Sequence, residues 1–370
     1  MKINRREFLS FLASGCLLAS YGLKPTFSFP ESKLVPTEAK FWEKSGEGTT
    51  HCLLCPNGCI RGEGERSRCG VRETRGGELK TLVYSSPCVL ALDPVEKCPL
   101  FHFTKGGNAL SIATAGCNLS CGYCQNWQFS QKKPEEVECF SLPPSQVVDK
   151  AKEYKASSIA FFYTEPTIAY EYILDIATEA KKVNFPTIMV TAGYINPEPL
   201  KTLLPLIDSF TIGLKGFSEK YYSEVIGGTL RPVLSTIETV AAAKNHFEIV
   251  TLLLPTLNDN FDDIKKGMKW FAKLFGRNIP YHFSRFSPQY KLKRLPPTPI
   301  QTLETARRIA QEEGLNYVYT GNVPGHEGNH TYCPKCKNTI IERLGFQILK
   351  NNLNAGKCPS CGEVIPGVWS

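Results

Sequence analysis

Long apolar runs are missing from this sequence. Beyond the N-terminus no stretch reaches the roughly 18 residues that a membrane-spanning helix needs, which excludes a polytopic membrane protein. Cysteine is too sparse for a disulfide-framed miniprotein: 15 in 370 residues is well below the share of about 8–10% that such scaffolds carry. Blocks of like charge are missing too. The formal net charge is +8, but Lys and Arg are spread along the chain, and no basic stripe marks a nucleic-acid footprint. Internal repeats and low-complexity tracts are absent, and 42% hydrophobic with 21% charged residues is ordinary globular material, so disorder, collagen and coiled coil are excluded.

What the chain does have is clustered cysteine: eleven of the fifteen fall in three tight groups. The first thirty residues stand apart from these. Arg5 and Arg6 precede an apolar stretch from Phe8 to Leu23, too short for a comfortable span and suited to a signal sequence. The order Arg5-Arg6-Glu7-Phe8-Leu9 resembles a twin-arginine export signal. An amphipathic terminal helix is the plainer alternative. Cys16 stands where a lipoprotein cysteine would, with Ala13 rather than Leu three positions before it. The expected location is export or membrane association through this segment, a membrane tether included, or else the cytoplasm.

The expected division is a signal or anchor over 1–30, a linker over 31–48, a four-cysteine module with its lead-in over 49–108, an α/β core over 109–325 and a second cysteine module over 326–370. In the core, β-rich runs at 110–114, 157–163, 186–191, 208–214, 247–254, 280–285 and 315–320 alternate with helical segments at 144–154, 167–182, 234–244, 262–275 and 300–313. Strand, crossover helix, strand implies parallel pairing and a partial or full (β/α) barrel.

The central group is Cys117-x3-Cys121-x2-Cys124, on a loop after a strand, where α/β barrels place their chemistry. Three thiolates can hold three irons of a four-iron four-sulfur (4Fe-4S) cluster and leave the fourth open, a poor design for plain electron transfer and a good one for coordinating a substrate. The N-terminal group, Cys52-x2-Cys55-x3-Cys59-x9-Cys69, suits one tetrahedral metal; zinc and a second iron–sulfur cluster both stand open. His51 adjoins it as a flanking residue. The C-terminal group, Cys333-x2-Cys336-x21-Cys358-x2-Cys361, has the two-knuckle spacing of a zinc ribbon. Cys88, Cys98 and Cys139 are left over as buried or unpaired thiols; in an exported protein, Cys88 with Cys98 is the pair expected to oxidise.

CxxxCxxC with an aromatic before the last cysteine resembles the radical S-adenosylmethionine (radical SAM) superfamily. The resemblance implies that Cys117, Cys121 and Cys124 ligate the cluster, that its open iron binds S-adenosyl-L-methionine, and that Tyr123 lies against the adenine. Thr164-Glu165-Pro166 resembles the region that holds the methionine amino group. Thr191-Ala192-Gly193 resembles the segment near the ribose and carboxylate. Gly213-Leu214-Lys215 matches the family's Asp-Leu-Lys with Gly213 in place of Asp, leaving Lys215 for the cofactor carboxylate. Val190 stands where activases of pyruvate formate-lyase carry Asp, and His282 resembles their late-strand histidine. With Asp93-Pro94-Val95-Glu96-Lys97-Cys98-Pro99-Leu100, Cys124-Gln125-Asn126-Trp127 and Leu254-Pro255-Thr256-Leu257-Asn258-Asp259, the chain looks like the AmmeMemoRadiSam radical enzymes, where Cys98 often is Lys. The resemblance implies an enzyme that abstracts hydrogen from an unknown substrate, activase-like if that substrate is a protein. It also implies a low-potential donor such as ferredoxin or flavodoxin. A non-catalytic iron–sulfur electron carrier or metal scaffold is the competing class.

Overall fold

The computed structural model describes residues 29–103 and 107–369, so the twin-arginine-like segment and Cys16 lie outside the described residues. Among the described residues no helix is long and apolar enough to cross a membrane. Residues Glu31–Ser370 form one compact unit, in which both cysteine modules pack against the core.

Eight strands form the central sheet in strict chain order: β1 (Val89–Pro94), β2 (Asn108–Ala113), β3 (Ser158–Phe161), β4 (Thr187–Thr191), β5 (Ser209–Gly213), β6 (His246–Leu253), β7 (Tyr281–Arg285) and β8 (Val318–Gly321). β1 runs antiparallel to β2, and every later pair is parallel. Sequential order means that each right-handed crossover steps the same way around, which puts the helices on one face and curls the sheet. β1 and β8 are its two edges, so the barrel is partial.

The crossovers are α1 (Pro144–Glu153), α2 (Tyr170–Lys182), α3 (Leu230–Ala242), α4 (Phe261–Phe275) and α5 (Ile300–Glu312), with a short helix, Pro197–Leu203, between β4 and β5. α4 shows why these segments are helical. Asn260 caps its first amides through Asp262 and Asp263 N–H, and Ile264, Gly267, Met268 and Phe271 form its buried stripe at helical spacing. Gly267 is required there, because a Cβ would come within 2.3 Å of the Phe217 ring.

The segment 95–103 fills the concave side of the sheet: Val95, Cys98, Leu100 and Phe103 pack on Ala109, Ala160 and Ile188. Two buried arginines then fasten the modules. Arg72, on the strand Arg72–Arg75 of the N-terminal module, pairs with Glu171 on α2 and donates to Lys40 C=O at 2.9 Å. Arg343, on the hairpin Thr339–Leu344 and Gln347–Asn351 of the C-terminal module, lies over the Phe101 ring at 4.1 Å and donates to Phe101 C=O at 3.0 Å.

Candidate active site

The loop that follows β2 carries the three central cysteines. Its entry is set by Gly116, whose φ of +92° and closeness to the N-terminal module admit no side chain: a Cβ would lie 2.5 Å from the Cys69 carbonyl oxygen. From there the main chain is clamped on two sides. Ser120 N–H donates to Ile226 C=O at 2.9 Å, Gly122 N–H to Val225 C=O at 3.2 Å, and Lys291 N–H to Gly122 C=O at 3.0 Å. Leu119 N–H donates to Cys117 Sγ at 3.4 Å, and Cys124 Sγ lies 3.1 Å from Ser130 Oγ. Donors aimed at sulfur suit thiolate ligands.

Burial pushes Cys117 well above the ordinary thiol value, with the charge of Glu165 and the two neighbouring thiols adding to it. Burial also raises Cys121 to about 11, against the pull of the Lys215 ammonium. Cys117 and Cys121, both held up by burial and flanked by the Glu165 carboxylate and the Lys215 ammonium, are thiols whose ionised form a positively charged metal group would favour. The donor set and its amide and hydroxyl neighbours therefore fit a cluster held by three cysteines.

The residues expected around the cofactor come from three strand ends. Thr164 Oγ1 donates to Thr114 C=O at 2.9 Å, joining the ends of β3 and β2. Glu165 is buried and firmly held: Oε1 accepts from Thr167 N–H (3.1 Å), Thr167 Oγ1 (2.7 Å) and Thr191 Oγ1 (2.7 Å), and Oε2 accepts from Ala192 N–H at 2.7 Å with room for a further donor. Four donors fix this carboxylate before any ligand arrives. Gly193, at φ +69°, donates its N–H to Thr191 Oγ1 at 2.9 Å, and Tyr194 C=O accepts from Asn118 Nδ2 of the cysteine loop at 2.8 Å. Lys215 leans back over Gly213, where a Cβ would stand 2.8 Å from Nζ. Among the described residues no carboxylate lies within 4 Å of this ammonium.

Tyr123 is buried against Tyr221, each hydroxyl without a well-formed hydrogen bond. Tyr222 OH accepts from Lys215 N–H at 2.9 Å. Tyr221, Tyr222 and Asn118 belong to the site and no motif in the sequence marks them. His282 is placed elsewhere. It is the second residue of β7, with Nε2 2.7 Å from the buried Glu248 Oε2 and its ring between Phe101 and Tyr319. Glu248 Oε1 accepts from Phe101 and His102 N–H at 2.8 and 2.7 Å, so His282 belongs to the network that orients the 95–103 segment.

The two outer cysteine sets differ. The ligand atoms of Cys333, Cys336, Cys358 and Cys361 all lie within 4.8 Å of one another, with Cys333–Cys361 and Cys336–Cys358 sulfurs 3.5 and 3.6 Å apart. Zinc–sulfur bonds of about 2.3 Å in a tetrahedron place sulfurs about 3.8 Å apart, so this set fits one tetrahedral ion. Among the described residues no other three cysteine, histidine or carboxylate groups gather as closely. The N-terminal thiols share a looser neighbourhood. Burial raises Cys55 to about 11 and Cys69 to about 12, Cys52 and Cys59 add to the first, and Cys55 and Cys52 to the second. Arg68 N–H reaches Cys59 Sγ at 3.5 Å, while His51 Nδ1 pairs with Glu43 at 2.9 Å. This module touches the central loop directly: Asn57 Nδ2 donates to Asn118 C=O at 2.8 Å.

Comparison with known proteins agrees with this geometry. The profile of the radical SAM superfamily matches residues 111–270. An uncharacterized protein of Methanocaldococcus jannaschii is 43% identical over 330 residues, covering 89% of this chain and 98% of that protein. A second protein of that organism, provisionally named a glycyl-radical enzyme activating enzyme, is 25% identical over 181 residues, 48% of this chain and 67% of its own. Among solved structures, a domain of a pyruvate-formate lyase-activating enzyme from Bacteroides vulgatus superposes with a TM-score of 0.41 at 16% identity, covering 45% of this chain and 99% of that domain. The three-cysteine loop, the parallel α/β sheet that presents it and the matching profile together make the chain a member of the radical SAM superfamily.

Proposed function

We propose that the chain abstracts a hydrogen atom from a protein substrate, in the manner of an activating enzyme, after reductive cleavage of S-adenosylmethionine. The observation that carries this reading is the convergence of Cys117, Cys121, Glu165, Thr191 and Lys215 at adjacent strand ends. With a 4Fe-4S cluster and S-adenosylmethionine bound, such a site supplies the 5′-deoxyadenosyl radical. The chain's own residues do the rest. Cys117, Cys121 and Cys124 hold three irons. Lys215, unpaired, receives the carboxylate of the methionine end, and the fixed Glu165 with neighbouring carbonyls receives its ammonium. Tyr123 closes one wall against Tyr221 and keeps water out.

Two relatives carrying the glycyl-radical activating name, at 25% and 29% identity, support a protein substrate. An iron–sulfur carrier, the competing class, has no use for an unpaired lysine beside its cluster. The C-terminal set holds zinc and folds its own module; the N-terminal set holds a metal against the central loop. A ferredoxin or flavodoxin supplies the electron.

The test is anaerobic. Protein reconstituted with iron and sulfide, given dithionite and S-adenosylmethionine, is expected to release 5′-deoxyadenosine, and Cys121→Ala to release none. A well-formed cluster that yields no 5′-deoxyadenosine would defeat the enzyme reading. Product without a radical signal on any added protein would defeat only the activase part.

A further inference from the structure

Three cysteines stand outside the metal-type sets. Cys98 is fully buried beneath the concave face, its thiol held up by burial and by the nearby Asp93. The pairing of Cys88 with Cys98 expected from the sequence is therefore not the one the fold makes. Cys88 has a different neighbour.

The chain leaving the central loop runs antiparallel to the chain entering β1. Phe140 N–H donates to Pro87 C=O and Leu142 N–H to Ser85 C=O, both at 3.0 Å. This register places Cys139 directly opposite Cys88, at the position between hydrogen-bonded pairs. Facing residues there have Cα atoms about 4.5 Å apart, within the span of about 4.4–6.8 Å that a disulfide bridges. The two thiols are close enough to influence each other, Cys88 being shifted upward and Cys139 downward, and Cys139 Sγ also reaches Pro134 C=O at 3.7 Å. Cys88 is half-buried and open to a small reagent, and Cys139 lies behind it.

We propose that Cys88 and Cys139 are a thiol–disulfide site that low-molecular disulfides such as oxidised glutathione convert to a cross-strand bridge. Once the pair has lost one proton, Cys88, the sulfur open to solvent, attacks one sulfur of the oxidant as the thiolate while Cys139 keeps the remaining proton; the oxidant's S–S bond breaks, one thiol leaves, and a mixed disulfide remains on Cys88. The Cys139 thiolate then attacks Cys88 Sγ and expels the second thiol. The two cysteines give up two protons and two electrons, and the oxidant is reduced to two thiols. The closed loop contains Cys117, Cys121 and Cys124, so the bridge ties the entry and exit of the catalytic loop together without using a cluster ligand.

The experiment uses the full, cluster-loaded chain. It is exposed anaerobically to oxidised glutathione, denatured in N-ethylmaleimide, digested and mapped by mass spectrometry. The expected result is a peptide pair joined through Cys88 and Cys139, with thermal unfolding raised by about 5–10 °C. In Cys139→Ser, Cys88 stops at the glutathione adduct and the thermal shift disappears. Full alkylation of both thiols in the wild type, a bridge from Cys88 to another cysteine, or a glutathione adduct on Cys88 with Cys139 alkylated would each overturn the assignment. The readout is covalent and independent of catalysis, so it stands or falls separately from the proposed reaction.

Discussion

The N-terminal and C-terminal cysteine modules each offer four thiols, and the fold treats them differently. The C-terminal set is drawn together on its own three-stranded antiparallel sheet, with sulfurs at tetrahedral-metal spacing. The N-terminal set is looser and interlocked with the central loop through Asn57–Asn118 and the Cys69–Gly116 contact. Four thiols thus occur in two settings: one set is gathered within its own small module, the other lies against the loop that carries the three central cysteines. The comparison predicts a split between stability and activity.

The largest effect is expected from Cys358→Ser. It should remove one metal equivalent, lower the unfolding midpoint by roughly 10 °C and expose 331–369 to proteolysis, while 5′-deoxyadenosine release at low temperature stays within about twofold. Metal analysis and limited proteolysis check it. A variant that keeps its stability but loses turnover would reverse the roles of the two modules.

The next effect runs the opposite way. Asn57→Ala removes the 2.8 Å bond from the N-terminal module to Asn118 and leaves every cysteine in place. A lost part-buried hydrogen bond of about 1 kcal/mol should slow 5′-deoxyadenosine formation by up to about tenfold and broaden the cluster's electron paramagnetic signal, with little change in the unfolding midpoint. An unchanged signal would mean that the two regions do not communicate.

These contacts also mark the limit of what the sequence discloses. That the three-cysteine loop, Glu165, Thr191, Gly193 and Lys215 gather at the ends of parallel strands is legible because each lies in a short local motif that follows a β-rich run. Asn57 meets Asn118 across 61 residues, and no local pattern announces such a pair. β1 was not expected: Val89–Pro94 is half-buried without clean alternation and ends in Asp93-Pro94, which reads as a turn. α3 begins at Leu230 rather than 234, because Pro232 sits in the first turn, where a missing N–H costs nothing. His282 was expected at a strand end, yet β7 continues to Arg285 and leaves it deep beside Glu248.

A smaller effect belongs to Lys215, which faces the pocket only because Gly213 has no side chain. Gly213→Ala should push the ammonium aside and weaken S-adenosylmethionine binding about five- to tenfold, with the rate at saturation less affected. Equilibrium binding alongside saturation kinetics separates the two. Unchanged affinity would remove Lys215 from the cofactor's carboxylate.

The last effect falls on stability alone and concerns the two anchoring arginines. Arg72 is buried against its charge but holds Glu171 in direct contact, and that partner keeps it protonated. Arg343 has a weaker arrangement: Glu96 Oε1 is 3.9 Å away, and burial pushes the Glu96 carboxyl up to about 7. The neutral Glu96 therefore stabilises the folded state below its unfolded value, and this contribution is lost as pH rises through about 7. His102, on the same segment, is pulled down to about 4 by burial, so its contribution is present above its unfolded value and lost as pH falls toward 4. The two slopes oppose each other in mildly acidic solution. Glu96→Gln removes one of them. It should leave stability near pH 5 almost unchanged and raise it near pH 8 by about 2–3 kcal/mol, read as a higher urea midpoint. A drop near pH 8 would instead show that the ionised Glu96 pairs productively with Arg343, and that the C-terminal anchor is as complete as the N-terminal one.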